Sequence, residues 1–471
     1  SEEEWVLLCN MHHIISDGWS MEILLQEWMA FYEEAVGGKS TELAPLPVQY
    51  ADFAQWQREW LKEEVLNQQL AYWKEELSGE LPVLMLPMDR PRPAIQTHHG
   101  LTHTVLLSRS LLDKLNALSR QEGVTLFMTL LASYQSFLAR YTGQSDILVG
   151  SPIANRNYRE IEGLIGFFVN TLVYRANLNG TPTFQELLSQ VRKKALKAYE
   201  YQDVPFEKIV EVIQPERSTS HSPIFQTMFT LQNTRQELPE LHGRSIEEME
   251  SYASIAKFDL SLSAAEVEEG LLLSFVYKTD LFDSVTIRCM AEHFENWLNV
   301  IVEHPDKSLA KLPMLSELEQ QQLEEWNDTS IAYPRENVIH KLFEDQVNRT
   351  PDKVAVVDEN QQLTYRELNE KANQLAHYLQ KCGIGAESLV GLYFQRSVEM
   401  IVGLMGIWKA GAAYVPLDPS YPESRLRYIL DDTGIQVLVT NEVLEGWIPK
   451  GVKAVCLDRD QEMISQESKL S

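Results

Sequence analysis

Apolar and polar positions recur at two periods along this 471-residue chain, and the switches between them mark out its elements. Residues 5 to 11, "WVLLCNM", are an apolar run that predicts a strand, and a loop follows through Gly18. Beyond it Ile23, Leu24, Trp28, Phe31 and Ala35 share one helical face, with Ser20 placed to cap the helix and "AVGGKS" to end it. Aromatic-rich helices, "VQYADFAQWQREWLKEE" and "LAYWKEEL", lead to a Pro-rich connection, "LPVLMLPMDRPRP". From Leu101 the two periods alternate. "LTHTVLLS" predicts a strand, then "SLLDKLNALSRQEG" and "LFMTLLASYQSFLARYTG" predict helices, the second ending at Gly143. "DILVGSPIANR" predicts a buried strand stopped by Ser-Pro. The mixture continues through "GFFVNTLVYRANL", a helix opened by "DVPFE", the strand-like "PIFQTMFTLQN" and "LLLSFVYKTDLF", and a helix over 282–303 closes the region. This is an α/β (α+β) pattern of about two domain-sized lobes.

Over 304–336 the texture turns polar, with charge, Pro and one short amphipathic helix, which predicts a linker packed partly on its neighbours. From Asn337 strands and helices alternate again: "VIHKLFEDQVNR", "KVAVVDE", "LTYRELNEKANQLAHYLQKCG", "SLVGLYF", "SVEMIVGLMGIWKAG", "AYVPLD", "PESRLRYILDDTG" and "QVLVT". That order implies a mostly parallel, doubly wound sheet. The boundaries are therefore 1–303, a linker over 304–336, and 337–471.

Composition narrows the partners. A chain this long exceeds one core and suits two or three domains. The formal net charge of -27, with basic residues scattered, repels phosphate backbones and disfavours nucleic acid. Cys9, Cys289, Cys382 and Cys456 are isolated, with no CxxC spacing, as suits reduced thiols in a cytoplasmic protein. "VEMIVGLMGIWKAGAAYVP", the most apolar stretch, carries Glu399 and Lys409 and is too short and charged to span a membrane. The first residue is Ser1 and the last stretch is polar, so both ends are expected to be cut from something longer.

The densest chemistry is "HHIISDG", residues 12 to 18. Adjacent His12 and His13 at a strand end point to opposite faces, unlike the i, i+4 histidines of a helical zinc site, and with Asp17 they still lack a fourth ligand. Metal is therefore disfavoured. Asp17 between Ser16 and Gly18 suits a sharp turn, and its carboxylate needs a cation if buried. An imidazole is the usual group for moving a proton near neutrality. Spacing alone leaves hydrogen-bonded packing and catalysis both standing.

"MHHIISDGWS" closely resembles the HHxxxDG signature of condensation domains in nonribosomal peptide synthetases. "PVQYADFAQWQREWL", "SPIANR", "IGFFVNTLVYR", "YQDVPFEKIVE" and "RSTSHSPIFQTMFTLQN" follow in that family's order, covering residues 1 to about 303. "LEEWNDTSIAYP", "LTYRELN" and "WKAGAAYVPLDPSYPESRL" resemble the start of the adenylation domain that follows condensation domains. The resemblance implies a chloramphenicol-acetyltransferase-like fold, two lobes in a V with the active site in a tunnel between them. It implies amide formation between substrates that upstream and downstream peptidyl carrier domains bring on phosphopantetheine arms. The condensation part itself would bind no cofactor, and a complete adenylation domain would use ATP and Mg.

Carried onto this chain, the resemblance makes His13 the residue that faces the tunnel, as base or as positioning group. His12 is expected to point away and pack, and Gly18 to let the backbone approach substrate. Asp17 would pair with Arg156 of "SPIANR" and hold the His13 loop. Trp19, Asn170 and Thr171 are candidates to line the tunnel, with strand core as the plainer reading of the last two. Asp203 is expected to cap the helix of "DVPFE", with Pro205 in its first turn. Three departures stand out. The family's portion upstream of HHxxxDG is missing, so apolar surface should be uncovered and full condensation activity is expected only when that lobe is supplied. Tyr201 stands where many relatives carry histidine, and the Gly/Ser/Thr-rich phosphate loop of adenylation domains does not occur, so no adenylation is expected. An epimerisation-type domain shares HHxxxDG, and a catalytically silent docking domain is the reading from a different class. The "IGFFVNTLVYR" version points to an L-configured donor.

Overall fold

Period-two alternation in the first unit, Ser1–Asp328, resolves into one seven-stranded sheet. The computed structural model describes residues 6–37, 43–180, 182–216, 218–232, 254–333, 337–359 and 361–470. In chain order the first unit contains α1 (Gly18–Gly37), α2 (Tyr50–Trp60), α3 (Glu63–Glu76), β1 (His99–Ser108), α4 (Arg109–Gln121), α5 (Leu126–Thr142), β2 (Asp146–Ile153), α6 (Arg159–Glu162), β3 (Asn170–Asn177), α7 (Phe184–Glu200), α8 (Phe206–Ile213), β4 (Thr227–Gln232), β5 (Ser254–Ile255), β6 (Leu260–Val267), β7 (Gly270–Lys278), α9 (Ser284–Glu303) and α10 (Glu317–Asn327). The strand order is β3-β2-β4-β6-β7-β1-β5. β4 runs parallel to β2 and β6, and the other pairings are antiparallel.

Alternate side chains of β6 and β7, including Leu262, Leu273 and Phe275, are buried and join Phe229, Phe294 and Trp297 in the main core. α5 is buried on nearly all sides within that core, which its Tyr134 and Trp297 of α9 can enter because their polar atoms are matched. The Tyr134 hydroxyl bonds the Thr227 hydroxyl and the Trp297 N–H donates to Ser136 Oγ. A smaller cluster of Ile161, Leu164 and Phe168 packs against Tyr50 and Phe53 of α2. It holds the connection 154–169 between β2 and β3, the edge pair of the sheet.

Several local expectations change. Residues 6–11 pair with no described strand, and Val6, Leu7 and Leu8 are exposed; an apolar run becomes a strand only beside another backbone that satisfies it. Trp5, and Lys39 and Ser40 of "AVGGKS", lie outside the described residues. On α1, Trp28 and Phe31 of the apolar face are exposed, and Trp28 stacks on Tyr32. β2 continues through Pro152 to Ile153, because beyond Gly150 only β3 runs beside it and an edge position tolerates a missing N–H. The stretch 304–336 divides: Leu309 and Leu312 are buried in the main core, Ser308 bridges to Thr183, and α10 lies in the first unit. β6 was not foreseen from "LSLSAAEV", where small and polar residues dilute the strand signal.

The second unit, Thr329–Ser471, holds α11 (Ile339–Arg349), β8 (Val354–Val357), β9 (Gln362–Thr364), α12 (Tyr365–Lys381), β10 (Leu389–Tyr393), α13 (Val398–Lys409), β11 (Ala413–Leu417), α14 (Glu423–Thr433), β12 (Val437–Thr440), β13 (Lys453–Cys456) and α15 (Gln461–Ser465). β10 to β13 form a parallel sheet ordered β11-β10-β12-β13, and β8 and β9 pair antiparallel apart from it. Gly406 lets α13 close on α12, since a Cβ there would lie 2.6 Å from the Leu375 side chain. Thr364 and Glu367 of "LTYRELN" form the capping box that starts α12. No described helix is long and apolar enough to cross a membrane.

Candidate active site

Asp17 sits where the loop after His13 enters α1, and its carboxylate does two things. Oδ1 accepts from the Ser20 N–H at 2.9 Å, which makes Asp17 rather than Ser20 the cap of α1. The same oxygen receives the Ser20 hydroxyl at 2.7 Å and Arg156 Nη2 at 3.2 Å, while Oδ2 receives the Phe168 N–H at 2.9 Å. Burial pushes this carboxyl up, but the hydrogen bonds from the Ser20 hydroxyl and the Phe168 and Ser20 N–H groups, with the Arg156 charge, outweigh it and hold it below the ordinary carboxylate range. Asp17 is therefore a buried anion matched on every side.

Arg156 reaches this point from the connection after β2. Its Nη1 donates to the Ile161 and Leu164 carbonyls, both at 2.7 Å, and its Nη2 also donates to Ser20 Oγ at 2.9 Å. The guanidinium lies 4.1 Å from the Phe168 ring centroid. Burial lowers its pKa, and Asp17 works against that. One cation thus fixes the connection and faces the carboxylate that caps α1.

His12 and His13 stand on the loop that this clasp anchors, in a 3-10 turn of His13–Ile15. Both are exposed, so His12 does not pack; its Nδ1 accepts the Ile14 N–H at 3.1 Å and closes the turn. His13 Nδ1 lies 2.7 Å from the carbonyl of the buried Ser16. A carbonyl oxygen can only accept, so Nδ1 carries the proton and the neutral ring keeps its lone pair on Nε2. The Phe167 ring stands edge-on to His13, centroids 5.2 Å apart. Such an imidazole, on an exposed residue and fixed at Nδ1, can take or share a proton at Nε2.

The other expected site residues divide. Gly18 is the first residue of α1, and a Cβ there would meet nothing within 4 Å. Trp19 is partly exposed and its indole N–H donates to the Glu162 carbonyl at 3.0 Å. Asn170 is buried and turned away: Nδ2 donates to the Gln202 and Val204 carbonyls at 2.8 and 2.9 Å, and Oδ1 accepts from the Thr171 and Phe206 N–H groups. Thr171 is half-buried opposite Pro152. Pro205, not Asp203, precedes α8, because Gln69 Nε2 holds the Asp203 carboxylate at 2.9 Å. Tyr201 stacks on Tyr72, centroids 4.5 Å apart. Of "RSTSHSPIFQTMFTLQN", Arg217 and Asn233 lie outside the described residues. Among the described residues no three His, Cys, Asp or Glu side chains gather around a point that could hold a metal ion.

Sequence reasoning missed Gly166 and Phe167. It also read Ser20 as a helix cap. A Cβ on Gly166 would lie 2.2 Å from the Tyr50 ring, so the close approach there requires glycine. Tyr50 also donates its hydroxyl to the Phe167 carbonyl at 3.0 Å. The "GFF" run was legible as a motif, but nothing local says which aromatic turns inward.

Comparison with known proteins gives the family of the chain. The family described as Condensation domain matches residues 1–324. The chain belongs to the condensation-domain family. Residues 343–470, after the condensation domain, match the family described as AMP-binding enzyme. Linear gramicidin synthase subunits B and C of Brevibacillus parabrevis are each 52% identical to it over 99% of this chain, and the chain spans 9% and 6% of their lengths. A four-domain nonribosomal peptide synthetase solved with AMP and glycine superposes over 96% of this chain and 36% of its own, at 24% identity and a TM-score of 0.76. The X-domain from teicoplanin biosynthesis covers 65% of this chain and 71% of its own, at 27% identity and a TM-score of 0.60. The α/β fold is thus that of condensation domains followed by part of an adenylation domain.

Proposed function

We propose that the condensation domain forms an amide bond between two substrates tethered to carrier domains, as a step of nonribosomal peptide synthesis. The observation that carries this reading is the His13 ring, held at Nδ1 by the Ser16 carbonyl so that Nε2 presents its lone pair. The amine nitrogen of a downstream aminoacyl thioester attacks the carbonyl carbon of an upstream acyl thioester. An N–C bond forms, the C–S bond breaks, and the proton lost by the amine leaves on the thiol. His13 Nε2 receives that proton, or hydrogen-bonds the amine as it attacks, and Asp17 and Arg156 hold the loop that bears it. Tethering both partners on phosphopantetheine arms raises their effective concentration. The partners are thus carrier domains on both sides and the rest of the synthetase. The four free thiols are the state that a reducing cytoplasm maintains. The second unit is the beginning of an amino-acid-activating domain, whose complete form would use ATP and Mg.

The test is single-turnover dipeptidyl-thioester formation between two loaded carriers, in the full parent module. His13→Ala is expected to slow it by about 10²–10⁴-fold, the usual range for a lost acid–base group. An unchanged rate would remove His13 from the chemistry.

A further inference from the structure

The Ser20 hydroxyl has more partners than a helix-start serine needs. The side chain is fully buried, and α1 is already capped through the Ser20 N–H and the Asp17 carboxylate. Its Oγ nonetheless stands among four polar atoms. Arg156 Nη2 donates to it at 2.9 Å and the Gly166 N–H at 3.0 Å, while Asp17 Oδ1 lies at 2.7 Å and the Gly166 carbonyl at 2.9 Å. A hydroxyl has one proton and two lone pairs. The two donors fill the lone pairs, and the proton goes to the shorter, charge-assisted bond to Asp17. Oγ is then fully used, and it joins two segments 146 residues apart.

Those segments carry the two rings of the site. One holds His13, four residues before Asp17; the other holds Phe167, between Gly166 and Phe168, and the rings meet edge to face at 5.2 Å. Asp17 accepts the Phe168 N–H of the second segment, and Tyr50 donates its hydroxyl to the Phe167 carbonyl while its ring packs edge-on to Phe168. On the other side of Phe167, Ser20 is the side chain that grips Gly166, and Gly166 cannot gain a side chain to brace itself, because Tyr50 fills that space.

We infer that Ser20 is a positioning residue: its hydroxyl sets the placement of Phe167 against His13, and through it the direction in which His13 Nε2 faces the reacting amine. The inference rests on the amide-forming reading of His13. Loss of the hydroxyl leaves α1 capped and Leu164 held by Arg156 but removes the side-chain hold on Gly166 next to Phe167, so the imidazole loses its fixed aromatic stop while keeping its Nδ1 bond. A misplacement of about 1 Å in a reacting group can slow a reaction by about a hundredfold.

The experiment compares wild type, Ser20→Ala, Phe167→Leu, the double variant and His13→Ala in the full parent module. It measures single-turnover amide formation against pH, apparent substrate affinity and thermal stability. Ser20→Ala is expected to lower the maximal rate about tenfold to a hundredfold with little change in apparent affinity, and to move the acidic limb of the pH profile. Ser20→Ala and Phe167→Leu should be non-additive, because both act on one contact. Ser20→Cys, of similar volume with a weak hydrogen-bonding group, replaces Ser20→Ala should that variant not fold. A lower melting temperature with an unchanged rate and pH profile, or full additivity with Phe167→Leu, overturns the inference. If His13→Ala itself retains the wild-type rate, the amide-forming role of His13 falls first and this inference with it.

Discussion

Arg156 shows how much a single side chain can be asked to do. It makes five hydrogen bonds, to the Ile161, Glu162 and Leu164 carbonyls, Asp17 Oδ1 and Ser20 Oγ, and among the described residues its Nε is the one guanidinium nitrogen without a partner. Lysine offers one ammonium on a flexible stem and cannot reproduce a planar fork. Arg156→Lys is therefore expected to destabilise the first unit nearly as much as Arg156→Ala, by about 3–5 kcal/mol as for other broken buried ion pairs, and chemical denaturation measures it. The pair also has a pH signature. The folded-state pKa of Asp17 is depressed, so its contribution is present above the unfolded value of about 3.9 and is lost as pH falls through the folded one. The first unit should lose melting temperature below about pH 4, and Asp17→Asn should flatten that dependence while lowering stability at pH 7. The pairing of Asp17 with Arg156 was stated from sequence only through family resemblance, since the two residues are 139 apart. Nothing local in "HHIISDG" names the arginine. Nor does it reveal that Ser20 Oγ would be buried, because a hydroxyl at a helix start is ordinarily solvated.

At the scale of elements, Asn170, for which strand core is the plainer reading and tunnel lining the other, has its amide buried and fully engaged. Its amide caps α8 from across the fold, accepting the Phe206 N–H at 3.1 Å, while Gln69 of α3 holds the Asp203 and Val204 N–H groups at 3.1 and 3.0 Å. Two carboxamides from α3 and β3 thus hold "QDVPF" where a local capping residue was expected. Asn170→Ala leaves a helix donor and two carbonyls unpaired and should cost about 1–3 kcal/mol per group that stays buried. Amide hydrogen exchange at Phe206 is expected to accelerate, with α7 unaffected. Strong periodicity located α4, α9, α12 and α13 well, because in those elements the buried stripe largely coincides with the apolar one. It misjudged α1 and residues 6–11 for a shared reason. Periodicity reports which face could be buried, whereas burial needs a neighbour, and among the described residues none covers Trp28 and Phe31.

At the scale of the whole molecule, the two units have separate cores. Leu112, Phe275 and Trp297 belong to one, and Leu375, Val390 and Val439 to another. Calorimetry of the chain is expected to show two transitions. Leu112→Ala, at a fully buried position, should lower one of them by the equivalent of about 2–5 kcal/mol and leave the other in place. A single transition shifted as a whole would contradict that independence. The change of texture after 303 was visible in the sequence, but the burial of Leu309 and Leu312 was not, because two leucines in a polar stretch carry no period.

The clasp at Asp17 also has a history within every copy of the chain. The carboxylate leaves the ribosome 139 residues before its arginine, an interval of about 7 to 28 seconds at ordinary elongation rates. Until then the His13 turn exists without the strand connection that steadies it. The same separation governs inheritance. A recombination seam anywhere between Ser20 and Arg156 takes the anion from one parent and its Arg156 and Phe168 donors from another, whereas a seam after Asp328 passes the whole clasp on intact.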